Sequence, residues 1–157
     1  MLPLRMFEHH KDEIVAHCKQ CHPKEACGIL AGSAEQSLPE DQLRLVFQVY
    51  PMRNVEDSPI GYSLDPKEQL VVEKQMRNQR QKLLGVYHSH TASDAYPSSV
   101  DVSLAISANI SYVLVSLKNL EKPVIKSYRI DGMKIIQETI LFAIGLQNRH
   151  GYGPAEV

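Results

Sequence analysis

Between about Glu8 and Gln20, Ile14, Val15 and Cys18 recur at helical spacing on a charged background, which predicts a first amphipathic helix ended by His22-Pro23. Ala26 to Gly32 is a short, unbroken apolar run containing small residues. It predicts a buried strand where backbones approach closely, with Glu25 at its threshold. After the polar stretch Ser33 to Gln42, the aromatic and β-branched run Leu43 to Tyr50 predicts a second strand, paired antiparallel with the first. Pro51 to Pro59 reads as loop. At Asp65-Pro66-Lys67-Glu68 an N-cap acid, a first-turn proline and a capping-box acid open a helix that should run to about Gln81. Its surface is polar apart from Leu70, Val71 and Met76, the predicted core contacts, so it should cover one side of a sheet.

The second half begins with Leu83, Leu84, Val86 and Tyr87 leading into His88-Ser89-His90. In an extended strand, alternation puts both histidines on one face and Ser89 on the other. Thr91 to Pro97 reads as loop. Ser98 is the expected N-cap of a helix whose stripe of Val102, Leu104, Ala105 and Ile106 runs to about Ala108. Ser111 to Leu117 predicts an apolar strand, and Val124–Ile130, an Asp131-Gly132 turn and Met133 to about Ile140 predict a β-hairpin. Thr139 to Leu146 is apolar enough for a last core strand or helix, or for a homodimer surface. Gln147 to Val157 reads as a frayed tail after a single domain spanning residues 1–146.

Composition narrows this picture. A chain of 157 residues matches one ordinary domain and can bury a core without disulfides. Lys plus Arg number 17 against 18 Asp plus Glu, so no basic field exists to hold a phosphate backbone, which argues against nucleic acid as partner. No run approaches the roughly 20 apolar residues of a membrane span, and the N-terminus lacks a signal-peptide pattern. The chain therefore reads as soluble and cytoplasmic. Cys18, Cys21 and Cys27 are odd in number and clustered, unlike a disulfide framework. Cys18-Lys19-Gln20-Cys21-His22 matches the haem-attachment string C-x-x-C-H, but nothing resembles the export signal that such attachment normally needs. The two cysteines read as helix residues, one of them partly buried.

The chemistry concentrates on His88, His90 and Asp101. Two imidazoles and a carboxylate are a three-ligand set suited to catalytic zinc, leaving a position for a water whose pKa falls to about 7. Hydrolysis also needs a carboxylate to move the proton from that water to the leaving amine, and Glu25 is the candidate. Ser98, at i, i+3 from Asp101, could donate its hydroxyl to the developing oxyanion. Each feature has a plainer reading: two polar strand residues, a helix cap, a surface acid. The joint pattern shifts the balance.

Glu25, His88-Ser89-His90, a seven-residue spacer and Ser98-Ser99-Val100-Asp101 together reproduce the JAMM motif, E…H-S/T-H-x7-S-x-x-D, and the chain thereby resembles the MPN-plus metallopeptidases. Glu25 to Gly32 is similar to the family's E-x-C-G-x-L-x-G opening. Asn54, Ser58-Pro59, Tyr62 and Asp65-Pro66 look like a segment of the short prokaryotic members. The resemblance implies an α/β (α+β) fold, a curved, mixed, cytidine-deaminase-like β-sheet flanked by helices. It implies His88, His90 and Asp101 as ligands of one Zn2+, Glu25 as general acid/base, Ser98 as the residue that steadies the tetrahedral intermediate, and Asn54 as a substrate-binding residue near the cleft. The implied reaction is hydrolysis of a peptide or isopeptide bond after the C-terminal Gly-Gly of a small ubiquitin-like sulfur-carrier protein. A zinc-dependent small-molecule amidase on the same scaffold, or a non-catalytic binding module, are the alternative readings.

Overall fold

A computed structural model describes residues 1–143. Twelve elements follow one another: β1 (Leu4–Phe7), α1 (Glu8–Cys21), β2 (Cys27–Ser33), a 3-10 turn (Glu40–Gln42), β3 (Gln48–Met52), α2 (Pro66–Asn78), β4 (Gln81–His90), α3 (Ser99–Leu104), β5 (Ser111–Ser116), β6 (Val124–Asp131), β7 (Lys134–Glu138) and β8 (Ile140–Ala143). Six strands form a mixed sheet in the order β3-β2-β4-β5-β6-β7, parallel only between β4 and β5. β1 and β8 pair in parallel as a separate two-stranded sheet. This is the α+β arrangement of a mixed sheet flanked by helices.

Each face of the sheet carries its own core. On one, Ile14 and Cys18 of α1 and Leu4 and Met6 of β1 pack with Leu30, Leu84, Tyr87, Val113 and Val115. On the other, Val72 and Met76 of α2 pack with Ile29, Tyr50, Met52, Val86 and Tyr112. The two α2 contacts are an i, i+4 pair on one helix face. This corrects the expectation that Leu70 and Val71 face the core, since they are 67% and 56% exposed. Opposite Tyr87, Gly28 is required because a Cβ there would collide with the Tyr87 ring, whose hydroxyl lies 2.7 Å from His17 Nδ1 on α1.

Several boundaries differ from the sequence reading, for local reasons. The second strand starts at Gln48 rather than Leu43, because residues 44–46 bond to β1: Arg5 N–H donates to the Arg44 carbonyl and Val46 N–H to the Arg5 carbonyl. Its antiparallel pairing with β2 is as expected, and it continues through Pro51, which an edge strand tolerates. Helix α2 stops at Asn78, where Arg80 adopts a positive φ of 53° to turn the chain into β4. The β6–β7 turn is Gly132-Met133, with Asp131 paired to Lys134; glycine takes φ +59° at the first central position, as a type II′ turn requires.

Helix α3 spans six residues instead of reaching Ala108. Its continuation is pre-empted by Tyr112, whose hydroxyl accepts from Ile106 and Ser107 N–H at 3.0 Å each and donates to the Ser107 carbonyl at 2.8 Å. Leu104 and Ile106 are consequently exposed, not part of a buried stripe. Of the apolar stretch 139–146, residues Ile140–Ala143 form a strand, with Ile140 and Phe142 against the core; residues 144–146, and the expected tail 147–157, lie outside the described residues. No described helix is long and apolar enough to cross a membrane. Cys18 is buried in the core and Cys21 half-buried, as helix residues, and no described cysteine is paired.

Candidate active site

Strand β4 delivers the two histidines, and a bulge sets their phase. Leu30 pairs with Gly85 and Ala31 with Leu83, leaving Leu84 without a partner. Leu83 and Val86 then pack on the α2 side and Leu84 and Tyr87 on the α1 side, a three-residue spacing that strict alternation forbids and a bulge permits. His88 and His90 continue on the face of Val86. Ser89, fully buried between them, points the other way: its Oγ accepts from Ala26 N–H at 2.8 Å while its own N–H donates to the Ala26 carbonyl at 3.0 Å. These two bonds tie the residue after Glu25 to the histidine strand.

Asp101 arrives from the first turn of α3 through a reciprocal cap. Ser98 Oγ accepts from Asp101 N–H at 3.1 Å, and Asp101 Oδ2 accepts from Ser98 N–H at 2.8 Å. The same carboxylate faces both imidazoles, with Oδ1 3.1 Å from His88 Nε2 and Oδ2 3.0 Å from His90 Nε2. The two Nε2 atoms are 3.2 Å apart. His90 Nδ1–H donates to the Asp94 carbonyl at 2.9 Å, which directs Nε2 into the cluster. The ring of Tyr62 stacks on His88 at 4.4 Å between centroids. The loop carrying Asp94 is itself held by Ser116 Oγ–H donating to the Ser93 carbonyl at 2.6 Å and by Tyr128 donating to the Ala95 carbonyl.

Among the described residues, these three are the group whose ligand atoms converge closely enough for a metal ion, all within 4.8 Å of one another. The donor edges of 3.0, 3.1 and 3.2 Å can be set against chemistry. A tetrahedral ion with ligand bonds of about 2.0 Å needs donors about 3.3 Å apart. The two imidazole nitrogens have this spacing and each faces one oxygen of the same carboxylate, a donor set whose chemistry fits Zn2+. At His88 the electrostatics agree: burial lowers its pKa, favouring the neutral imidazole that a metal needs. Burial opposes ionisation of Asp101, but hydrogen bonds from both imidazoles and from Ser98 N–H outweigh it and hold the carboxyl well below its usual range. His90 is also disfavoured as a cation by burial, yet the Asp101 and Asp94 contacts prevail and raise its pKa.

Glu25 lies just before β2, 6% exposed, and its carboxyl is raised to about 7, first by burial and then by the nearby Asp101 and Glu56 carboxylates, with His90 acting against them. A carboxyl poised near neutrality beside a metal-competent triad is able to take up and release a proton in the working pH range. Its main chain is fixed on both sides: Glu25 N–H donates to the Ser58 carbonyl at 2.9 Å, and its carbonyl accepts from Asn54 Nδ2 at 3.1 Å. Asn54 also donates to the Gly61 carbonyl and accepts from Glu56 and Ser63 N–H, so its amide is fully used in holding the loop around Glu25. Ser98 is exposed, and its Oγ, an acceptor in the cap, retains a hydroxyl proton to donate.

Five sequence-marked residues, Glu25, His88, His90, Ser98 and Asp101, are thus drawn to one place, with Asn54 behind Glu25. Sequence reasoning missed Tyr62 as the ring packed on a ligand, the Asp94 carbonyl that orients His90, and the Ser89 clamp. A backbone carbonyl carries no residue signal, whereas a serine between two histidines, forced to the opposite face, was a cue for a buried partner.

Comparison with known proteins gives a consistent picture. The profile for prokaryotic homologs of the JAB domain matches residues 7–131. The chain is 41% identical over 127 residues to the CysO-cysteine peptidase of Mycobacterium tuberculosis, covering 81% of this chain and 82% of that protein. It is 31% identical over 111 residues to the desampylase of Haloferax volcanii, covering 68% and 75%. The solution structure of a Desulfitobacterium hafniense protein superposes with a TM-score of 0.81 at 37% identity, covering 96% of this chain and 99% of that one.

Proposed function

The chain belongs to the family of prokaryotic homologs of the JAB domain, and from that premise we propose that it is a zinc-dependent peptidase of the JAMM type. Its substrate is a small ubiquitin-like sulfur-carrier protein, cut at the peptide or isopeptide bond that follows the C-terminal Gly-Gly. The observation that carries the reading is the triangle of His88 Nε2, His90 Nε2 and the Asp101 carboxylate, with edges of 3.0 to 3.2 Å, beside a carboxyl raised to about 7. The names of the two peptidase relatives support the reaction class.

His88, His90 and Asp101 hold the ion. When bound, divalent zinc supplies the Lewis acidity that polarises a carbonyl and makes water nucleophilic near neutral pH. Glu25 accepts the proton of the attacking water at its carboxylate and passes it to the departing amine nitrogen. The water oxygen ends in the glycyl carboxylate and the C–N bond breaks, so no further reactant is needed. Ser98 donates its hydroxyl to the oxygen on which negative charge develops. Tyr62 and the Asp94 carbonyl hold the two imidazoles in place. A Gly-Gly tail suits such a site because glycine lets the main chain approach side chains closely.

The test is incubation of zinc-loaded protein with a carrier protein extended past Gly-Gly, read by intact mass. Cleavage after the second glycine that disappears on chelation and in Glu25→Gln is the expected result. Failure to cut any such carrier would sink the proposal.

A further inference from the structure

Asp101 stands on the least anchored element of the site. Helix α3 has six residues, none of them buried, and its apolar Val100 and Leu104 are exposed. Core contact is limited to half-buried Val102 and, just past the helix, Ala105. The packing of an apolar face that normally fixes a helix is therefore slight. The cap between Ser98 and Asp101 is internal to the first turn and ties nothing to the sheet. Two phenol hydroxyls supply that tie. Tyr112 on β5 and Tyr128 on β6 are directly paired, so both side chains rise from one face of the sheet. They reach opposite ends of one stretch of chain. Behind α3, the Tyr112 hydroxyl accepts from Ile106 and Ser107 N–H and donates to the Ser107 carbonyl, at 2.8 to 3.0 Å. Ahead of α3, Tyr128 donates to the Ala95 carbonyl. Asp101 lies midway between the two anchor points.

The structure assigns Tyr112 and Tyr128 as positioning residues of the metal site: together they strap residues 95–107 to the sheet and so hold the Asp101 carboxylate against the two histidines. The inference rests on the reading of His88, His90 and Asp101 as zinc ligands. Every hydrogen bond of the two hydroxyls goes to main chain, so they act on the site through the stretch they hold. The same strap reaches a second ligand. His90 Nδ1–H donates to the Asp94 carbonyl, one residue from the carbonyl that Tyr128 holds, so slack in the stretch would turn His90 as well as move Asp101. Groups outside the ligand set that orient it are typically worth 10–100-fold in metal affinity. A phenol suits the task. Its oxygen accepts twice and donates once at Tyr112, using its full capacity, and its rigid ring is 7% exposed there and 2% exposed at Tyr128. Phenylalanine at either position keeps the ring in the core and removes only the tie.

The experiment measures zinc affinity of the full chain by competition with a chelator, together with the visible spectrum of the Co2+-loaded protein and the melting of the metal-free protein. Tyr112→Phe and Tyr128→Phe should each weaken zinc binding about 10-fold and alter the Co2+ spectrum, which reports how the ligands are arranged. Tyr50→Phe is the control. Its hydroxyl bonds Gln48 and Gln81 at 3.0 and 2.6 Å, at the end of β4 remote from the histidines, so its loss should lower Tm while leaving both metal readouts unchanged. Metal readouts at the parent's values in both strap variants overturn the strap and leave the peptidase standing, and so does an equal change in Tyr50→Phe. A second arm needs no metal. In metal-free protein, amide hydrogen exchange over residues 99–104 should be faster in both strap variants and unchanged in Tyr50→Phe. If the unmodified chain binds no zinc, the reading of the site fails and this arm alone decides: faster exchange upholds the strap, and unchanged exchange overturns it.

Discussion

Glu25 should destabilise the metal-free protein at neutral pH, and replacing it with glutamine should reveal by how much. In the folded chain the carboxyl titrates at about 7 against 4.5 without the fold's influence, principally because it is buried. A raised carboxyl pKa means that the native state binds a proton more tightly than the unfolded state. No penalty exists below pH 4.5, where both states are protonated. It grows as pH rises and is complete above about 7. The gap corresponds to about 3 kcal/mol, or a difference of about 6–12 °C in Tm for a chain of this size. Glu25→Gln keeps the shape and removes the titration. Denaturant unfolding of chelator-treated protein at pH 5, 6, 7 and 8 should therefore show a Glu25→Gln advantage that is small at pH 5 and approaches about 3 kcal/mol at pH 8. A difference that stays flat across this range, or a variant less stable than the parent at pH 8, would refute the claim that burial has displaced this carboxyl. Such a cost is what is expected when a reactive group is held in an environment that does not suit its charge.

Other outcomes follow from the same geometry. His88→Ala and Asp101→Asn should lose bound zinc by metal analysis, whereas Glu25→Gln should retain it and lose turnover; full zinc content and activity in either ligand variant contradicts the assignment. Ser98→Ala should lower kcat by about 10²-fold and cost about 1 kcal/mol through the lost cap, with Ser98→Thr recovering both in kinetics and melting. His10, buried with Nδ1 unpartnered and its pKa lowered by burial to about 4, must be charged in the unfolded chain first as pH falls. Its contribution of about 3 kcal/mol is present above pH 6.5 and lost between 6.5 and 4, so His10→Phe should flatten that part of the acid-unfolding curve, and an unchanged curve counts against it. Glu138 is buried between Arg44 and Arg129 and accepts from Ser127 Oγ–H at 2.7 Å; Glu138→Ala should cost about 3–5 kcal/mol in unfolding with zinc content unchanged, and a loss below 1 kcal/mol would show that the two arginines find other partners.

The sequence exposed the site more fully than it exposed the fold's edges. Residue type marked Glu25, His88, His90, Ser98 and Asp101 as candidates, because metal and proton chemistry restrict which side chains can serve, and the joint motif they reproduce grouped them. Periodicity found α1, β2 and the antiparallel β2–β3 pair, where one face is apolar over several residues. It failed where a tertiary contact overrode the local pattern. Arg44 to Val46 lies in a run of strand composition but is taken up by β1, a four-residue strand at Leu4–Phe7 whose partner β8 lies far along the chain. The stretch after Leu104 has helix-like spacing, yet the Tyr112 hydroxyl satisfies its backbone instead. On α2, a run of Leu70, Val71 and Val72 offers no internal cue to which residue faces inward; the sheet chose Val72. Nor does any local pattern show the bulge at Leu84, because it arises from how β4 pairs with β2.

Ser98 and Asp101 show why a plain reading and a chemical one need not compete. Helix α3 has six residues, too few to be stable alone, since helix nucleation is unfavourable and isolated helices under about 12 residues are marginal in water. Its first turn is fixed by the reciprocal cap, and its end by Tyr112. The Asp101 oxygen that accepts from Ser98 N–H is the one that meets His90, so the cap determines where the carboxylate points and helps keep it ionised. Removing the cap would therefore loosen a ligand as well as a helix, and removing the ligand would undo half the cap. Ser58 and Asn54 do the same for Glu25, holding its N–H and its carbonyl while leaving the side chain to titrate. Rigid backbone around a few chemically unsettled side chains is the condition under which a triangle about 3 Å on edge can wait for an ion.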